Sequence, residues 1–97
     1  SHLPHAAASG LSLSAQPAAL KFAATGFRVV TRIASSDPGL WTSILMSNRG
    51  NTADDIKNYI KQLEKIRRVI LDGNEDALRS ALISAKKKRD RFLTRLD

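Results

Sequence analysis

The sequence predicts an all-α domain, on three observations. Apolar residues recur at three- and four-residue spacing through the second half of the chain, helix-start and helix-stop signals bracket those runs, and the one β-branched cluster has no second strand-like run to pair with. The architecture expected is a helical bundle of residues 1–97 with a C-terminal antiparallel helical hairpin, dimerising through buried Ala/Leu-rich helices. A chain of 97 residues buries about two-thirds of the surface its unfolded form exposes. That core is modest, and a partner subunit would enlarge it.

The first element runs from Leu3 to Leu13, where Ala6, Ala7, Ala8, Ser9 and Gly10 form one block of small side chains. A helix with so little polar surface has to be covered, and small residues let a partner helix approach its backbone. Gln16-Pro17 ends or interrupts it, because proline disfavours helical geometry in the residue before it. Ala18 to Ala23 reads as a short helix, and Ala24-Thr25-Gly26 as the loop of this half. Arg28 to Ala34 is expected to make a helical turn or two despite Val29, Val30, Thr31 and Ile33. Asp37-Pro38 is a start signal: Asp at the N-cap accepts from free first-turn amides, and Pro at the next position has no amide to leave unsatisfied. Leu40, Trp41, Ile44 and Leu45 follow at helical spacing, and Asn48-Arg49-Gly50 supplies the stop.

Thr52-Ala-Asp-Asp55 resembles a capping box and opens the longest helix, whose stripe of Ile56, Tyr59, Ile60, Leu63, Ile66, Val69 and Ile70 extends over about 30 Å. Glu64 sits four residues before Arg68, the favourable orientation for an ion pair. Asp72-Gly73-Asn74 is a tight turn in which Gly takes positive φ and Asn74 caps the last helix. Leu78, Ala81, Leu82, Ala85, Arg89, Phe92 and Leu96 make the inner face of that helix, and so short a turn sets the two long helices antiparallel.

The formal charge of +7 is spread over both halves. Residues 1–50 carry four Lys/Arg against one acid, and residues 51–97 carry twelve against eight. Such a distribution attracts anions without building a single basic face. With no cysteine, thiolate chemistry and a disulfide framework are excluded. No apolar run approaches the roughly 20 residues that cross a bilayer. A soluble cytoplasmic protein with no membrane partner is expected. The start on Ser-His-Leu-Pro-His without an initiator methionine fits a piece of something longer.

Candidate chemistry concentrates between Gly26 and Trp41. Arg28 and Arg32 are four apart, so on a helix both guanidinium groups leave one face, about 6 Å apart at Cβ. Beside Phe27, Val30 and Ile33 they form a wall suited to a small anion, since a guanidinium meets a carboxylate or phosphate in two parallel bonds. The plainer reading of this spacing is a solvated face. Lys86 to Arg91 is the most basic run, but on a helix its side chains point around the whole circumference with no interleaved aromatic, so no nucleic-acid partner is expected. His2 and His5 lack the further ligands a metal needs, and no metal site is expected. Ser35 and Ser36 sit in no nucleophile elbow, and no Gly-rich phosphate loop occurs. No catalytic group is therefore assigned within this segment.

Ser-His-Leu-Pro-His5, then Phe22-Ala-Ala-Thr-Gly-Phe27 and Arg28, then Thr31-Arg-Ile-Ala-Ser-Ser-Asp-Pro38 and Trp41 resemble the C-terminal helical domain of prephenate and arogenate dehydrogenases. The resemblance covers the whole chain. It implies an upstream domain that binds NAD or NADP and supplies the catalytic groups of an oxidative decarboxylation in tyrosine biosynthesis, whereas this segment alone is inactive and binds no dinucleotide. It further implies a homodimer and a substrate, prephenate or arogenate, held partly by this domain. Arg32 matches the arginine that grips a substrate carboxylate, and His5 a histidine lining the same pocket; Gly26, Thr31 and Trp41 shape or support it. Two positions depart from the pattern: Val29 stands where many members carry Asp, and Ala24-Thr25-Gly26 replaces a glycine-rich loop. The alternatives are a basic helical module for nucleic acid and a purely structural dimerisation domain.

Overall fold

The computed structural model describes residues 2–16 and 25–96, and every regular element among them is helical. They are α1 (His2–Ser14), α2 (25–31), a 3-10 turn (Arg32–Ser35), α3 (Pro38–Ser47), α4 (Arg49–Leu71) and α5 (Glu75–Leu96). The expected break at Pro17 and the short helix over Ala18 to Ala23 lie outside the described residues. The chain divides into two compact units, residues 1–58 and 59–97.

In the first unit α1 packs against the 3-10 turn, the most extensive contact between elements among the described residues. Its buried positions are Ala8 and three polar residues, His5, Thr31 and Thr52. Only one face of α1 is covered: Leu11 and Leu13 are exposed, so within one chain the Ala-rich helix is not the enclosed element the sequence suggests. The expected loop at Thr25-Gly26 is helical instead, and α2 continues to Thr31, whose Oγ1 donates to the Phe27 carbonyl at 2.6 Å. There the helix tightens into the 3-10 turn, which Ser36 closes by donating its amide to the Ile33 carbonyl at 3.1 Å.

Asp37 caps α3 as expected, its Oδ2 accepting from the Leu40 amide at 2.8 Å, with Pro38 in the first turn. Trp41, Ile44 and Leu45 are half-buried, while Leu40 is exposed. The stop is shorter than predicted. Asn48 alone separates α3 from α4, and Arg49 and Gly50 already belong to α4. Thr52 is accordingly not a capping residue. It lies one turn inside α4, where its buried hydroxyl donates to the Asn48 carbonyl at 2.8 Å. A hydroxyl bonded back four residues satisfies itself inside a helix and leaves nothing for a cap.

In the second unit the turn follows the prediction. Gly73 has φ +68°, its amide donates to the Ile70 carbonyl, the Asn74 amide donates to the Val69 carbonyl, and Asn74 Oδ1 accepts from the Ala77 amide at 3.1 Å. Glu64 pairs with Arg67 at 2.8 Å rather than with Arg68. Among the described residues α4 and α5 make no extensive close backbone contact with each other. No residue described over 59–95 is buried, and Tyr59, Ile60, Leu63, Ile70, Leu82 and Phe92 of the predicted inner faces are exposed. The stripes exist as drawn from the sequence, and within one chain they are covered only in part: Ile66, Val69, Leu78 and Ala81 are half-buried.

Candidate functional site

Within the first unit, α1, the 3-10 turn and α3 enclose an open groove of about 500 Å³, a size in the range of small-ligand sites. His5, Ser9 and Gly10 come from α1, Ala34 and Ser36 from the turn and its end, and Trp41, Thr42 and Leu45 from α3. The cap at Asp37 sets where α3 begins, and the first-turn position of Trp41 follows from it: its amide donates to the Asp37 carbonyl at 3.1 Å. This brings the indole onto the imidazole of His5. The two rings stack with centroids 4.1 Å apart and planes 14° from parallel.

His5 is 6% exposed, and among the described residues neither Nδ1 nor Nε2 has a hydrogen-bond partner. Leaving a buried polar group unpaired typically costs about 1–3 kcal/mol. A phenyl ring would fill the same place beneath Trp41 without that cost, so packing alone does not account for a histidine here. The arrangement can offer one ring nitrogen as donor and the other as acceptor to a ligand or solvent molecule that reaches the ring.

The remaining predicted residues are placed as follows. Arg32 is exposed at the start of the 3-10 turn and does not line the groove, although Ala34 and Ser36, close after it in sequence, do. Arg28 is exposed one turn earlier. Among the described residues neither arginine has a carboxylate partner. Their apolar wall is looser than drawn: Phe27 and Ile33 are half-buried, but Val30 and Val29 are exposed. Thr31 is buried, with its hydroxyl committed to the Phe27 carbonyl, so it supports the turn. Gly26 is exposed in α2 with open space where a Cβ would stand. His2 is half-buried.

The structure thus brings His5 and Trp41 into direct contact, and leaves Arg32, Thr31 and Gly26 on the flanking turn and helix. The sequence reading missed Ser9, Thr42 and Leu45 as groove residues. Leu45 carried a signal as part of the helical stripe, but the two hydroxyls carried none. In the basic run, Asp90 meets Lys86 at 2.9 Å and Arg89 at 3.8 Å, which consumes part of the positive charge a phosphate track would need. Among the described residues no cluster of metal-ligating side chains occurs, and no helix is long and apolar enough to cross a membrane.

Comparison with known proteins agrees with the motif reading. Residues 1–84 match the family model described as prephenate dehydrogenase, dimerization domain. The chain is 36% identical over 96 residues to a prephenate dehydrogenase of Bacillus subtilis (strain 168), covering 93% of this chain and 26% of that protein. It is 37% identical over 95 residues to a prephenate dehydrogenase of Lactococcus lactis subsp. cremoris (strain MG1363), covering 92% and 27%. A cyclohexadienyl dehydrogenase of Zymomonas mobilis subsp. mobilis is 30% identical over 96 residues, covering 92% and 33%. The chain therefore spans about a quarter to a third of the length of these relatives. With its family model matched over most of its length, the chain belongs to the prephenate dehydrogenase dimerisation-domain family.

Proposed function

We propose that this chain is the substrate-binding and dimerisation domain of an NAD(P)-dependent dehydrogenase that oxidatively decarboxylates prephenate or arogenate in tyrosine biosynthesis, acting as a homodimer. The observation that carries the site is His5: a buried imidazole, stacked on Trp41, that lines a groove of ligand size with neither nitrogen hydrogen-bonded among the described residues. Arg32, exposed two residues before the groove's Ala34 and with no carboxylate partner among the described residues, is the carboxylate clamp. In a site closed off from water its two parallel bonds to a carboxylate strengthen. His5 meets a polar atom of the same ligand, Trp41 fixes the imidazole plane, and Thr31 and Gly26 support the turn that carries Arg32.

The chain has no Gly-x-Gly-x-x-Gly segment and no strand among the described residues to carry one, so its residues do not fit a dinucleotide. In this reading the nicotinamide cofactor, which accepts the hydride, is held by a part of the protein outside these 97 residues. The homodimer rests on the family description and on the apolar faces left exposed in one chain. The test is an assay of the full-length protein with prephenate and arogenate against NAD and NADP, following reduced nicotinamide and released carbon dioxide. Turnover of at least one substrate–cofactor pair, with one carbon dioxide per hydride transferred, is expected; no turnover of any pair contradicts the assignment.

A further inference from the structure

Helix α1 gives the groove one face, formed by His5, Ala6, Ser9, Gly10 and Leu13 at helical spacing. Two of these residues stand out. Serine in a helix commonly turns its hydroxyl back to a carbonyl one turn earlier. Ser12 does so to Ala8 at 2.8 Å, and Ser14 to Leu11 at 3.1 Å. The Ser9 side chain makes no hydrogen bond among the described residues, although it is half-buried and lines the groove four residues after His5. Gly10 follows it. A glycine inside a helix weakens it, because more backbone freedom is lost on folding. No local geometry requires one here: φ is not positive at Gly10, and a methyl added there would meet no atom within 4 Å. Contacts among the described residues thus explain neither the free hydroxyl nor the missing side chain. The third polar feature of this face points to a ligand: His5, 6% exposed, lines the same groove with two ring nitrogens that have no hydrogen-bond partner among the described residues.

We propose that Ser9 and Gly10 belong to the substrate-binding surface: the Ser9 hydroxyl hydrogen-bonds the small anionic ligand that His5 meets, and Gly10 keeps the helix backbone bare where that ligand lies against it. This rests on the proposed function and extends it to two residues outside the motifs that suggested it. His5 and Ser9 leave one face of α1 about 6 Å apart at Cβ, so they meet different polar atoms of one small molecule. A hydroxyl rotates to suit its partner and donates equally well to a carboxylate or a keto oxygen. The bare glycine backbone permits an approach that a side chain would block. Both residues therefore act with opposite sign on fold and on binding. Each is a poorer helix former than alanine, and each favours the complex.

The experiment compares Ser9→Ala and Gly10→Ala with the wild type in the full-length protein, reading KM and kcat with prephenate and arogenate, thermal unfolding and sedimentation. Ser9→Ala is expected to raise KM by about three- to tenfold with kcat nearly unchanged. Gly10→Ala is expected to raise KM by about fivefold or more and to raise the unfolding midpoint as well, since alanine is the better helix former. Ser12→Ala removes a hydroxyl already bonded within its own helix and is expected to leave KM unchanged. Unchanged KM in both groove variants overturns the contact and leaves the proposed function standing. A wild type that turns over neither substrate removes the function and the contact together. A lowered unfolding midpoint in either variant assigns that residue to the fold and overturns its place against the ligand. A Gly10→Ala protein whose KM rises only as its dimer dissociates assigns the glycine to a subunit contact, which overturns its part of the proposal.

Discussion

The imidazole of His5 lies flat against the indole of Trp41, 4.1 Å between ring centroids, although thirty-six positions separate them in the chain. That contact joins α1 to α3 and places a polar ring, without hydrogen-bond partners among the described residues, where a hydrocarbon would be cheaper. A ligand or water that reached these nitrogens would remove an existing deficit, since a buried polar group left unpaired costs about 1–3 kcal/mol.

His5→Phe is therefore expected to preserve the stack and to leave stability unchanged or raised by about 1 kcal/mol, since the unpaired nitrogens vanish with little change of shape. Substrate affinity of the full-length protein is expected to fall at the same time. Urea unfolding and a substrate titration on the same variant check the two halves. A variant that loses stability but binds normally would assign His5 to the core.

Trp41 is the sole tryptophan, so its emission reports on the stack. His5→Ala removes a stacked aromatic neighbour, worth about 0.5–1.5 kcal/mol beyond its area, and exposes the indole face to the groove. The emission maximum is expected to move to longer wavelength with Asp37 and α3 otherwise intact. An unchanged spectrum would show that the rings do not touch in solution.

Asp37→Ala removes the side chain that accepts from Leu40 at the start of α3. The expected loss is about 1 kcal/mol. Because the cap sets the first turn of α3 and hence the position of Trp41, the tryptophan signal is expected to shift as well. Chemical denaturation followed by both circular dichroism and fluorescence separates the two effects.

Two glycines should respond with opposite sign. Gly73 has φ +68°, and Gly73→Ala is expected to cost about 1 kcal/mol, since a side chain is strained in that region. Gly26 is in α2 with open space around it, and Gly26→Ala is expected to stabilise by about 0.4–1 kcal/mol. Thermal unfolding of both variants checks the pair. A destabilised Gly26→Ala protein would show that the described helix is not the one formed in solution.

Much of the fold was legible because it is written in local chemistry. The cap at Asp37-Pro38, the turn at Asp72-Gly73-Asn74 and the stripes of α4 and α5 are each decided by neighbouring residues. Boundaries failed where two local devices compete. Thr52 reads as a cap, but the Asn48 carbonyl lies four residues back and takes its hydroxyl, so α4 starts at Arg49. Turn length alone does not tell how far the stripes are covered: Ile66, Val69, Leu78 and Ala81 are half-buried, whereas Ile60, Leu63, Ile70 and Leu82 are exposed. Of the residues the motifs single out, His5 and Trp41 meet in one groove and Arg32 stands outside its lining. The His5–Trp41 stack was not readable, because it depends on how α1 and α3 meet, a long-range relation no spacing encodes. Nor did spacing tell that Arg32 stands on the flank of the groove rather than in its lining.

In the proposed function Arg32 is the group that holds a substrate carboxylate. In the full-length protein, Arg32→Ala is expected to raise KM for prephenate or arogenate by about 30-fold or more, following a loss of about 2–5 kcal/mol for one partner of a charged pair. The unfolding midpoint should not move, because the side chain is exposed and has no partner among the described residues. A variant with unchanged KM would contradict the assignment and remove Arg32 from the site.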